Sequence, residues 1–439
     1  MTNPRIVVVG AGFAGFQAAR VLARKAPPGA EVVLINPNDY FLYLPLLPEV
    51  SAGVLEPRRV AVSLPASLPR VRLMLGEVEN LDLDGNKLTC NDLEGRTATI
   101  GYDRLVIAMG SVNKLLPIPG VAEYAHGFRG ISEALYLRDH IVRQLELAAV
   151  ADDPAEREAR STFVVVGAGY TGTEVAASGV LFTHALTHGR TFLRGIRPKW
   201  MLLDVAHRVL PELDQRLSRT ADRVLRRRGV DVRMQTSVEE ASADGIRLTS
   251  GDIVCTRSLI WCVGVRPDPL VADLGLPTMK GRLVVDEYLT VPGYPSVFAC
   301  GDAAAVPDLT RPGEITAMTG QHAERQGRRA GHNVLASLGY GDRKAYKHND
   351  LGFVVDLGGW AAAANPLSIP LSGPVAKVVT RGYHLLSLPG NRLRVAADWF
   401  INALQRQAAV QLGLVPGAVV PLDTAAPDVT PVHRAHRVH

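Results

Sequence analysis

The chain lacks most of the features that would fix its class at a glance. Its 439 residues hold four cysteines (Cys90, Cys255, Cys262 and Cys300), with no CxxC pair and no metal-ligand spacing. A disulfide scaffold and a metal module are thereby excluded, and the thiols read as the reduced, buried cysteines of an intracellular protein. No uninterrupted apolar run reaches about 18 residues, so no helix is expected to span a membrane. The opening "MTNPRIVVVG" carries no charged leader and no cleavage site before its first apolar strand. Aromatic residues are only 6%, and no basic stripe interleaves with them, which excludes nucleic acid as a partner. Glycine, by contrast, is plentiful: 41 residues, with 47% apolar content, suit a glycine-punctuated α/β protein of two or three domains. The net charge is +5, and residues 366–414 hold five bases (Lys377, Arg381, Arg392, Arg394, Arg406) against one acid, Asp398.

One segment occurs twice. "RIVVVGAGFAGFQAAR" at 5–20 returns as "TFVVVGAGYTGTEVAA" at 162–177. Each is a β-branched run, a glycine turn and a helix-like stretch, the opening of a dinucleotide-binding βαβ unit. In the first, Gly10, Gly12 and Gly15 make the turn, admit a pyrophosphate and let helix pack on strand, with Phe13 and Ala14 between them. The free N–H groups of the helix start then face the phosphates. The next strand, "EVVLINP", ends in Asn36, where an acid would ordinarily grip a ribose; its hydrogen bond has no charge assistance. In the second, Gly167, Gly169 and Gly172 bracket Tyr170 and Thr171, and the following strand "KWMLLD" ends in Asp204. That carboxylate lies 32 residues past Gly172, which requires a long helix or loop between them. A ribose contact there would repel a 2′-phosphate and favour NAD over NADP, with His207 and Arg208 close enough to soften the preference; a surface-turn role for Asp204 is the alternative.

A third element, "SVFACGDAAA", is a strand ending in Gly301-Asp302 and followed by small residues that should open a helix. Two linking segments, "YDRLVIAMGS" with Ala108 and Gly110 and "RSLIWCVGVRPDPL" with Gly264, complete the pattern. In this order the motifs resemble the two-dinucleotide flavoproteins, and most closely the type II NADH dehydrogenases, single-chain NADH:quinone oxidoreductases of the membrane surface. The resemblance runs from about residue 5 to about 412. "GAGYTGTE" stands for the family's "GGGPTGVE", "CVGV" for its "AAGV", and Pro45-Leu46-Leu47 for its "PLL" loop.

The resemblance implies an α/β fold of two Rossmann-like domains, the NAD domain inserted in the FAD domain, with a membrane-associating C-terminal region. It divides the chain into 1–158 and 285–345 for FAD, 159–284 for NAD(H), 346–414 for anchoring and dimerisation, and a disordered tail over 415–439. It implies FAD on the first motif with Asp302 on the ribityl chain, NADH on the second, and Glu174 at the nicotinamide–flavin junction. The family's "AQxxxQ" helix start appears as "TGQHAERQG", placing Gln321 and His322 as quinone contacts, with His322 as a proton source. The family's second Gln falls on Arg325, and Gln326 comes one place late. Helix capping is the bland reading of that stretch, as it is of Glu174.

The expected reaction carries a hydride from NADH to flavin and two electrons on to a menaquinone-type acceptor, without ion pumping. Trp399 and Phe400, flanked by arginines, read as an interfacial amphipathic helix, and packing on a dimer or FAD domain as the alternative. The resemblance adds a homodimer at the cytoplasmic face of the cell membrane. Disulfide and sulfide chemistry lack a cysteine pair; Cys262 and Cys300 lie inside strands. A reductase of a ferredoxin-type protein carrier, or an NADH-sensing flavoprotein with little turnover, stays open.

Overall fold

The two β-branched runs become the central strands of two separate parallel sheets. In this computed structural model, which describes residues 3–405, 409–417 and 420–422, Arg5–Val9 lies between Glu31–Asn36 and Arg104–Ile107, all parallel. Arg72–Asp82 and Tyr294–Ala299 extend the sheet on either side. Antiparallel strands finish its edges: Lys87–Asp92 and Thr97–Gly101 at one, Thr290–Val291 at the other. Thr162–Val166 takes the same place in the second sheet, between Lys199–Asp204 and Ser258–Trp261, with Val230–Met234 and Ala125–Gly127 outside them. Strands covered on both faces must be apolar throughout, and Ile6 to Val8 and Phe163 to Val165 are wholly inaccessible.

The first sheet draws strands from both sides of the second in the sequence, so the second unit is nested inside the first. In each, chain order reverses beside the first strand, and ligands of such sheets collect beyond the carboxyl ends of the strands at that switch point. The long spacing before Asp204 has its cause in the helix Tyr170–Gly189, 20 residues, and the single turn Thr191–Leu193 after it. The two connections between the units run side by side, with Ser111–Asn113 antiparallel to Val265–Pro267.

Two expectations fail here. Gly301-Asp302 opens no long helix: Gly301–Ala303 is one tight turn followed by a short strand, and the helix starts at Gly320. Nor are all four cysteines buried, because Cys255 sits exposed on the edge strand Ile253–Cys255 of a small antiparallel sheet.

The C-terminal region is an antiparallel sheet of Val354–Asp356, Ala362–Ala364 and Leu371–Ser372, followed by helices Gly373–Ser387 and Arg392–Leu404. Adjacent helical residues point about 100° apart, and that phase separates the aromatic pair. Trp399 turns inward with Val395, 5% exposed, beneath the Arg381 guanidinium at 4.8 Å, and donates its indole N–H to Glu49. Leu393, Phe400, Ile401 and Leu404 stay outside. Arg59 grips Asp398 at 2.7 and 3.1 Å, and the Asn391 amide donates to the carbonyls of Arg58 and Ala61, tying the last helix to the FAD-side unit. Arg406 and most of the segment read as a tail, 423–439, lie outside the described residues.

Glu49 gives this docking a pH dependence. Burial, with Asp356 adding to it and Lys377 opposing, pushes its pKa from 4.5 up to about 7. A carboxyl raised in the folded state costs nothing below its ordinary range; the cost grows through the interval and is full above it. Glu49→Gln keeps an acceptor for the Trp399 N–H. It should raise the thermal midpoint by roughly 2–4 °C near pH 8 and hardly change it near pH 4.5, as melting curves at both will tell.

Candidate functional site

Each glycine turn is closed by backbone contacts that no side chain tolerates. Gly10 has φ 91°, and a Cβ there would stand 2.4 Å from the Ala108 carbonyl oxygen; one at Gly15 would stand 1.8 Å from that of Gly10. In the second turn the distances are 2.2 Å, from Gly167 to the Cys262 carbonyl, and 1.8 Å, from Gly172 to that of Gly167. The middle glycines differ. Nothing lies within 4 Å of a Cβ built on Gly12 or Gly169. The outer pair lock the turn while the middle one faces open space, which is the cradle a pyrophosphate needs at a helix start. Both turns fit dinucleotides.

A cavity opens in front of the first, lined by Gly10, Gly12, Phe13, Asn36, Ser111 and Arg129 among others. Asn36 accepts from the Ala11 N–H at 2.8 Å, and its amide donates to Asn38 at 2.8 Å. Asp204 holds the matching place in the second turn, accepting from the N–H groups of Ala168 and Ala206. Arg208 is committed to the carbonyls of Pro211 and Leu213, at 2.7 and 2.9 Å, and so turned to its own loop. A charged acceptor lost from a ribose hydroxyl costs about one to two powers of ten in binding. Asp204→Ala should therefore raise the NADH KM about 10- to 100-fold and narrow the preference over NADPH, measured by steady-state kinetics with both nucleotides.

The Gly301-Asp302 turn is tied to the cavity lining at Ser111. Asp302 accepts from the Ser111 hydroxyl at 2.6 Å, to which Arg129 also donates at 3.1 Å. Behind the turn, the Gly301 N–H donates to Gln326 Oε1 at 2.8 Å, while Gln326 Nε2 reaches the Thr316 hydroxyl at 2.9 Å. Buried Arg282 donates to the carbonyls of Thr316 and Gly301. Gln326, one place late for the family pattern, is wholly inaccessible and clamps this turn. Neither Gln326 nor Arg282 follows from the motifs, though a glutamine between Ala323 and Ala330 on a buried stripe was a readable signal. Ala14 faces the same helix, since a Cβ at Gly327 would fall 2.0 Å from its carbonyl.

Gln321 and His322 share a helix start but not a partner. Gln321 donates to the Gly352 carbonyl at 2.6 Å, and its own Oε1 is buried with no hydrogen-bond partner. His322 turns to Tyr346 (2.9 Å) and stacks on His348 at 3.9 Å, and burial holds its pKa down to about 4. The surroundings of the ring thus favour its neutral form, with one nitrogen donating and the other accepting. Arg325, in place of the family glutamine, binds Asn349 and His348.

Glu174 accepts from the Asp356 N–H at 2.8 Å, and the Asp356 carboxylate pairs with buried Lys377. Loss of hydration pushes the Glu174 pKa well up, and the Asp356 and Glu49 carboxylates add to the rise. Tyr170, beside it, stacks on Phe353 at 5.5 Å with its hydroxyl buried and unpartnered; Thr171 is exposed. Gly110 and Gly264, both at positive φ, begin the paired linker strands. The thiols of Cys262 and Cys300 are pushed by burial up to about 12, so neither is a thiolate at neutral pH.

Residues 4–327 match the pyridine nucleotide-disulphide oxidoreductase family. The chain is 33% identical to the type II NADH:quinone oxidoreductase NdhA of Mycobacterium tuberculosis, over 92% of this chain and 87% of that one. It is 29% identical to the demethylphylloquinone reductase NdbB of Synechocystis, over 92% and 97%. Its fold is that of the NDH2 of Plasmodium falciparum solved with NADH, at a TM-score of 0.85 and 18% identity, covering 93% of this chain and all of that one.

Proposed function

We propose a division of labour for these residues from one premise: this chain belongs to the type II NADH:quinone oxidoreductases, within the pyridine nucleotide-disulphide oxidoreductase family. Its activity is the FAD-dependent oxidation of NADH by a quinone, without proton pumping. The observation that carries this for the chain's own residues is the repeated glycine cradle, one per parallel sheet, with no cysteine pair beside the first. FAD, when bound, accepts a hydride and returns two electrons; the protein aligns and shields.

In this division, residues 1–158 and 285–345 hold FAD and 159–284 hold NAD(H). Gly10, Gly12, Gly15 and the Arg129–Ser111–Asp302 chain hold the pyrophosphate and ribityl ends of FAD, and Gln326 and Arg282 keep the Gly301 turn in place behind them. Gly167, Gly169, Gly172 and Asp204 hold NADH. Glu174, with its raised pKa, holds or yields a proton at its carboxyl, and Lys377 compensates the Asp356 charge beneath it. The unpaired Gln321 Oε1 is an acceptor suited to a donor hydroxyl such as a quinol's, which supports a menaquinone-type partner at that end of the helix.

The reading extends to residues 346–414 as the membrane-anchoring and dimerisation region, in a homodimer held at the cytoplasmic face of the cell membrane. Val375, Val378, Leu393, Phe400, Ile401 and Leu404 present an apolar face, and Asp398, the one acid between Val375 and Leu404, is already paired with Arg59. No helix among the described residues is long and apolar enough to cross a membrane. Light scattering checks the dimer.

The test of the reaction is anaerobic. NADH should bleach the flavin, and a soluble menaquinone analogue should restore the colour within the turnover time. Bleaching with no recovery would shift the acceptor to a protein carrier.

A further inference from the structure

The charge surplus noticed in the C-terminal region has a counterpart that the motifs do not absorb. The helix Gln215–Arg227 of the NAD(H)-side unit carries Arg216, Arg219, Arg223 and Arg227 at helical spacing, within about 80° of arc, all exposed. Among the described residues no carboxylate lies within 4.0 Å of any of the four; the helix's one acid, Asp222, is paired with Arg226. The opposite face, Leu217, Ser218, Ala221 and Leu225, is buried. Stripe and packing face are cleanly separated.

Position adds what charge alone lacks. This helix packs beside the C-terminal strands Ala362–Ala364 and Leu371–Ser372. Arg228, at its end, donates to the carbonyls of Leu357 and Gly358, the turn that leads to Trp360. Trp360, Leu367 and Ile369, in the loops that flank those strands, are 66%, 70% and 58% exposed, so the segment packed on the arginine helix also offers apolar tips. Guanidinium groups beside exposed apolar side chains match the two layers of a lipid surface, charged headgroups over hydrocarbon.

Resting on the membrane reading above, we propose that the arginine face of Gln215–Arg227 is a second membrane contact, selective for anionic lipid headgroups. The C-terminal helices supply apolar attachment to any bilayer, and the arginine face adds the preference for negative charge. In this arrangement the NADH-binding unit, to which the helix belongs, touches the surface as well.

The test is co-sedimentation of the FAD-loaded enzyme with phosphatidylcholine vesicles, with and without phosphatidylglycerol. The wild type should bind the anionic vesicles at least about tenfold more tightly, a difference that added salt removes. Replacing Arg216, Arg219, Arg223 and Arg227 by glutamine should abolish that difference and leave binding to neutral vesicles unchanged, with NADH bleaching of the flavin as the check on folding. The smaller change Arg219→Gln/Arg223→Gln should remove part of it should the fourfold variant fold poorly. Phe400→Ser/Ile401→Ser should instead weaken binding to both vesicles. A variant of the stripe that keeps the wild-type preference overturns the inference. Equal binding of the wild type to both vesicles overturns it too, leaving an acidic protein face as the occupant of the stripe. No binding to either overturns the membrane reading along with it.

Discussion

Gly172→Val should give a yellow protein that NADH no longer bleaches. Even the first added carbon at Gly172 falls 1.8 Å from the Gly167 carbonyl oxygen and 3.2 Å from Cys262 Cβ. The strand–turn–helix junction must open, and the N–H groups that receive the nucleotide phosphates lose their convergence. The flavin cradle is built in a different sheet, around Gly10 and Gly15, and has no contact of this kind with Gly172. We therefore expect kcat/KM for NADH to fall by about two to three powers of ten, roughly 3–4 kcal/mol of transition-state stabilisation, with flavin absorbance retained. Dithionite should still reduce the variant's flavin, and the quinone analogue should still reoxidise it at the wild-type rate. Gly15→Val gives the mirror result, a colourless protein. Loss of flavin from the Gly172 variant as well would show that the two cradles are not independent.

The second large effect is expected at Lys377. Its ammonium is 3% exposed and pairs with Asp356, whose backbone N–H is held by Glu174. Removing one partner from a buried ion pair leaves the other charge without compensation, at a cost of about 3–5 kcal/mol. Lys377→Met should lower the unfolding free energy by about that much and loosen the C-terminal helices to protease. Adding Asp356→Asn should return most of the loss, because no charge is then left unpaired. Glu174→Gln separates chemistry from structure. The amide still accepts from the Asp356 N–H and removes a carboxyl with a raised pKa, so stability should hold or rise at pH above the usual carboxylate range, as at Glu49, while the carboxyl proton is gone. We expect quinone turnover to fall about 10- to 100-fold. Because the raised pKa keeps Glu174 protonated well above the usual carboxylate range, wild-type turnover should decline as pH rises through it and the variant's should not.

What the sequence made legible was whatever depends on the backbone. A turn that must pass a carbonyl within contact distance admits only glycine, so Gly10, Gly15, Gly167 and Gly172 announce themselves. Asn36 and Asp204 are readable by position, since the end of the second strand always meets the turn. The polar clamps were not readable, because their partners are remote: Glu174 and Asp356 are 182 residues apart, Glu49 and Trp399 350. Lys377 counts in the sequence as one of five bases over 366–414 and proves to be buried, its counter-charge coming from a strand outside its own helix. Trp399 was misread for a different reason. Two neighbouring aromatics look alike in a sequence, but helical phase sends one to Glu49 and the other outward.

The paired linkers have a mechanical meaning. Ser111–Asn113 and Val265–Pro267 form a ribbon only three residues long, each strand preceded by a glycine at positive φ. Hydrogen bonds across such a ribbon resist sliding and stretching of one strand past the other, and the carbonyls of Gly110 and Gly264 extend it by accepting from the Asp268 and Lys114 N–H groups at 3.2 and 3.1 Å. The two nucleotide units also share one apolar core, in which Leu47 and Val50 of the first meet the helix Tyr170–Gly189 of the second, so ribbon and core together hold the two cradles at a fixed separation.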